Sequence, residues 1–166
     1  MATAPVPTPE TPSFEALVAE LNHRIWEVRR DACEDLTALN DKRAVPYLVR
    51  MLRDGVGAVR FAAAEALGKL RDPSVVPDLL RILDDPLWGA YGPVIESLAA
   101  LRAKVAIPFF IRYLRDKDTR IRNVASSALM VVTRQVIPFK AKGPEEEREQ
   151  SVKLWETWWQ KNKATF

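Results

Sequence analysis

Gly57 to Pro86 reads GAVRFAAAEALGKLRDPSVVPDLLRILDDP. Apolar residues recur at helical spacing on both sides of Asp72-Pro73, which predicts a helix, a tight turn, a second helix and a stop at Asp85-Pro86. A shift of 31 residues in either direction finds the pattern again. Leu21, Leu52, Leu83 and Leu114 share one phase, and Leu36, Leu67, Leu98 and Leu129 share another. Pro46, Pro77 and Pro108 each open a helix, where the missing N–H is not needed. Ala32, Ala63 and Ala125, with Val94 in the third unit, form a column of small residues that lets neighbouring helices approach. One helical pair cannot cover its own apolar face, so such units stack into one elongated core. The expected fold is all-α, a right-handed α-solenoid of four 31-residue helical hairpins.

The expected boundaries follow from the phase. Residues 1–12 form a Pro-rich leader expected to be disordered, and the units run 13–43, 44–74, 75–105 and 106–136. Residues 137–144 read as a loop, because the phase slips after Val136. Residues 145–166 read as a capping helix with Val152, Trp155, Trp158 and Trp159 on its apolar face. Its acids come first (Glu145, Glu146, Glu147, Glu149) and Lys161 and Lys163 last, the order the helix dipole favours. The same tryptophans also allow a partner groove.

Composition removes several classes. With 25 basic and 22 acidic residues in 166, the net charge of +3 does not by itself imply nucleic acid. A single cysteine, Cys33, excludes an internal disulfide framework and suits a reducing compartment. MATAPVPTPET has no basic or apolar signal region, and no run approaches the ~18 apolar residues of a membrane span. A cytoplasmic protein is expected. His23 is the only histidine, so no His-acid metal set can form, and no glycine-rich phosphate loop is present. Cys33 falls beside core positions, where packing is its expected role. The expectation is no enzyme, no metal and no cofactor.

Val59 to Asp85, VRFAAAEALGKLRDPSVVPDLLRILDD, resembles a HEAT repeat of the short bacterial type, also called phycocyanobilin-lyase-like. The resemblance covers Ser13 to Val136. It speaks to fold and hardly to activity, since function lives in sites carried by folds. It implies a hydrogen-bonded ladder between repeats, with Asp54, Asp85 and Asp116 at the turns and Arg29, Arg60 and Arg122 early in the second helices. Two cells depart from it: His23 stands where an aspartate belongs, and Tyr91 where an arginine belongs.

The third unit departs most, with Leu87-Trp-Gly-Ala-Tyr-Gly-Pro93 in place of a helix start. Gly89, Gly92 and Pro93 predict a late or kinked second helix. Trp88 and Tyr91 beside arginine suit an interface, or else fold over the helix ends as core. The leading expectation is a non-catalytic protein-interaction module, monomeric by itself, that docks a partner protein on its concave second-helix surface. Arg30, Phe61, Glu65, Trp88, Tyr91, Glu96 and Asn123 are the candidate contacts, because they lie on second helices off the core phase. An alternative is nucleic-acid binding through a basic patch at the fourth unit, Arg112, Arg115, Lys117, Arg120 and Arg134. A third, a chromophore-lyase subunit, is implied by the resemblance alone.

Overall fold

The computed structural model describes residues 12–86, 88, 89 and 91–166, so the expectation about the leader lies outside the described residues, apart from Pro12. The described residues form an α-solenoid of helical hairpins without strands. The hairpins are α1 (Phe14–Glu20) with α2 (Trp26–Ala38), α3 (Val45–Met51) with α4 (Gly57–Leu70), α5 (Val76–Asp84) with α6 (Tyr91–Ala100), and α7 (Ile107–Tyr113) with α8 (Thr119–Thr133). A last helix, α9, spans Glu145–Asn162. No helix among the described residues is long and apolar enough to cross a membrane.

The second helices α2, α4, α6 and α8 pack in an unbroken series, more closely than successive first helices do. That difference curves the stack with the second helices on the concave side. The close approach is made by small residues. Ala32, Ala63, Val94 and Ala125 are fully buried, and Gly68 of α4 lies directly against Ser97 of α6, whose hydroxyl donates to the Ala64 carbonyl at 2.7 Å. The two leucine columns fill the layer between first and second helices, each residue 0–2% exposed.

Local chemistry sets the connections. Asp41 and Asp72 accept from the backbone N–H two residues on (2.8 and 2.9 Å), closing the short turns before α3 and α5. Asn40, Arg71 and Arg102 end the second helices in the left-handed region, in step with the 31-residue period. The fourth such residue is Arg134, one position late, because α8 is a residue longer than α4. This is the phase slip seen in the sequence. The α6 helix begins at Tyr91, whereas α4 and α8 begin at the register equivalent of Trp88. Gly89, at φ 80°, and Pro93 account for the late start.

The α9 helix lies against α7, in line with the first helices. Val152 and Trp155 are fully buried, Trp158 packs edge-on to Trp155, and Phe166 packs edge-on to Trp158. The tryptophan face is thus turned into the stack.

Candidate functional site

The concave surface carries one column of second-helix residues whose side chains point away from the core: Arg30, Phe61, Gly92 and Asn123, 31 residues apart. Phe61 is 47% exposed, and the next member of the column has no side chain. A groove of about 610 Å³ opens at this point. Phe61 of α4, Tyr91 and Pro93 of α6, and Ile121 and Val124 of α8 give it an apolar lining, and Glu96, Asp116, Lys117, Asp118 and Arg120 are its charged members. The groove includes the place where the column's third member lacks a side chain.

No neighbouring helix requires a glycine at 92. Outside its chain neighbours a Cβ there would touch only Ile121 Cδ1, at an ordinary 3.7 Å, and its φ is not left-handed. Glycine in a helix is less favourable than alanine by up to ~1 kcal/mol, and its local reason here is Pro93, whose ring disfavours a Cβ on the helical residue before it. Tyr91 holds the groove's edge. Its hydroxyl donates to the Asp85 carbonyl at 2.6 Å, and its ring stacks between Trp88 and Tyr113 at 6.4 and 5.1 Å. Burial pushes the Tyr113 phenol up to about 12.

The ladder between hairpins has a backward and a forward half. Arg29, Arg60, Tyr91 and Arg122 each donate to the carbonyl six residues earlier, of His23, Asp54, Asp85 and Asp116, at 2.6–2.9 Å. Tyr91 thus fills the arginine position with the same backward bond. The forward halves differ. Arg29 grips the Asp54 carboxylate with two bonds of 2.7 and 2.9 Å, Arg60 donates to the Trp88 carbonyl at 3.1 Å, and Arg122 donates to the Ala141 carbonyl at 2.8 Å. The Arg29 guanidinium beside Asp54 holds that carboxyl below its usual range, helped by the Val56 N–H. His23 replaces an aspartate by the same device, its ring Nδ1 accepting from Ile25 N–H at 3.2 Å.

The family described as HEAT repeats matches residues 14–91. These residues are HEAT repeats. Among solved structures, the complex of CpcE and CpcF of phycocyanin lyase from Nostoc sp. PCC7120 is similar, with a TM-score of 0.66 at 29% identity over 74% of this chain and 53% of that one. The chain spans about half the length of that relative. No curated protein matches it.

Placed on the HEAT units, the candidate contacts separate. Phe61, Tyr91 and Glu96 come together in the groove. Glu65 lies in an adjoining shallow depression and pairs with Lys69 at 2.8 Å. Arg30 is engaged by Asp31 at 2.6 Å and lies 5.4 Å over Trp26, and Asn123 is exposed outside the groove lining. Trp88 is a correction. It is 4% exposed, its indole N–H donates to the Leu52 carbonyl at 2.8 Å, and the Arg60 guanidinium lies 5.7 Å from its ring. It wedges the second and third HEAT units together and offers nothing to a partner.

Three members of the basic patch are ion-paired. Arg115 is bound by Glu149 and Glu156 of α9 at 2.6 and 2.8 Å, Arg120 by Asp118 at 2.8 Å, and Arg112 by Asp84 at 3.1 Å and the Leu83 carbonyl at 2.7 Å. Lys117 and Arg134 are exposed. Cys33 is fully buried, and burial pushes its thiol up to about 12. Gly92, Ile121 and Val124 were absent from the sequence candidates. The signal was present in Gly92, which shares a column with Arg30, Phe61 and Asn123.

Proposed function

We propose that the chain is a non-catalytic protein-interaction module. It docks a segment of a partner protein in the concave groove, with an apolar side chain seated over Gly92 between Phe61 and Ile121. The observation that carries the reading is the open concave groove beside Gly92, where Phe61 stays 47% exposed and no neighbouring helix fills the place of a side chain. An apolar floor with a charged rim is the composition of a protein-binding surface. The similarity to a chain in a complex of two proteins supports the same reading.

The test is Gly92→Ala. Alanine should change stability by no more than about 1 kcal/mol, its better helix propensity set against the Pro93 ring. It should also lower capture of the partner from the native cell, as Phe61→Ala should. Undiminished capture by both variants refutes the reading.

The similarity to phycocyanin lyase favours a second reading, in which the chain is one subunit of a chromophore-lyase assembly. Bilin transfer by the reconstituted pair, absent from either protein alone, supports that reading; its absence leaves the interaction module.

A further inference from the structure

Most of the charges around the concave groove are already engaged. Asp116 accepts the Asp118 N–H at 2.7 Å, and Asp118 caps α8 and pairs with Arg120 at 2.8 Å. Two are not. Glu96 and Lys117 are exposed, and among the described residues their side chains make no hydrogen bond or ion pair. The groove thus offers an incoming segment one unmatched carboxylate and one unmatched ammonium.

The two lie at opposite ends of it. Lys117 stands in the turn before α8, and the turn residues Pro86 and Gly89 ahead of α6 line the same end. Glu96 lies along α6, and its register equivalent on α8 is Ser127. The rise from Thr119, where α8 begins, to Ser127 is ~12 Å at about 1.5 Å per residue. Gly92, whose equivalent is Asn123, lies midway. An extended chain covers ~12 Å in about four residues and turns every second side chain to the same face. A helix is about 10–12 Å across, and α6 and α8 pack directly on each other, leaving no channel of that width between them.

We propose, on the reading of this groove as the docking site, that it selects an extended segment of a partner protein whose apolar anchor stands two positions from an acid on one side and two positions from a base on the other. The anchor sits over Gly92, the base meets Glu96 and the acid meets Lys117. Glu96 and Lys117 set specificity, while the apolar floor of Phe61, Ile121 and Val124 supplies affinity.

A phage-displayed library of random twelve-residue peptides, panned on the full chain and on Phe61→Ala, identifies groove ligands as those enriched only by the first. They should carry acid and base on either side of an apolar residue, at the two-residue spacing of an extended chain. Panning on Glu96→Lys should exchange the base for an acid, and panning on Lys117→Glu should exchange the acid for a base. In anisotropy titrations, a fluorescent peptide selected on wild type should bind Glu96→Lys about three- to tenfold more weakly, the scale of turning one exposed ion pair into a repulsion. The same peptide with Glu in place of its base should reverse that order. Phe61-dependent peptides whose charges are the same on all three chains, or fall at helical spacing, overturn the proposed selection and leave the groove as a docking site. The absence of any Phe61-dependent peptide overturns the docking site and the selection together.

Discussion

At the scale of single residues, Trp88 and Asp54 hold the seams by different means. Trp88 buries a full indole and satisfies its N–H on Leu52, so its removal leaves both a cavity and an unpaired carbonyl. Trp88→Ala should destabilise by about 3–5 kcal/mol in denaturant melts and Trp88→Phe by less, because the ring is largely kept. Asp54 is held ionised by Arg29 and by the Val56 N–H. A carboxyl whose folded pKa lies below its unfolded value, near 4, contributes stability above that value and loses it as pH falls through the folded pKa. Asp54→Asn should therefore be less stable than wild type at pH 7 by about 1–3 kcal/mol. The gap should close as pH falls below about 4 and through the folded pKa, which paired melts over acid pH measure. A gap independent of pH contradicts the role given to the ion pair.

At the scale of elements, the second helices pack closely because of the residues they lack. Gly68 lies on Ser97, where a Cβ would meet the Ser97 Cα at 2.9 Å. Backbone cannot give way as a flexible side chain can. Gly68→Ala should destabilise by about 1–3 kcal/mol, although helix propensity alone favours alanine by up to ~1 kcal/mol. Gly92→Ala, one helix on, should cost less than Gly68→Ala, because no backbone of a facing helix meets its Cβ. Melting temperatures of the two variants therefore distinguish a packing glycine from a groove glycine. Both glycines are legible in the sequence as column members, but their roles are not. The difference lies in whether a facing helix reaches the position, which depends on the late start of α6 and its left-handed Gly89.

At the scale of the whole molecule, the stack was legible because a 31-residue column repeats leucine, proline and alanine in step, and hydrophobic burial acts on those columns. The slip after Val136 was legible as well, and its cause is the extra residue of α8 before Arg134. Trp88 was misplaced because phase alone sets it at a helix start. With that helix beginning at Tyr91, Trp88 instead precedes it and turns inward. The pairing of Arg115 with α9 was not legible, because residue counts do not show which arginines a later helix will engage. Open to solvent on the concave side is the groove beside Gly92, flanked by Phe61 and Ile121, with the shallower depression at Glu65 adjoining it. The most direct test is quantitative affinity capture from the native cell with wild type, Gly92→Ala and Phe61→Ala, alongside their melting temperatures. The account predicts a protein captured saturably by wild type and depleted with both variants, while Gly92→Ala stays folded within about 1 kcal/mol of wild type. The same proteins captured in the same yield by all three chains would contradict it.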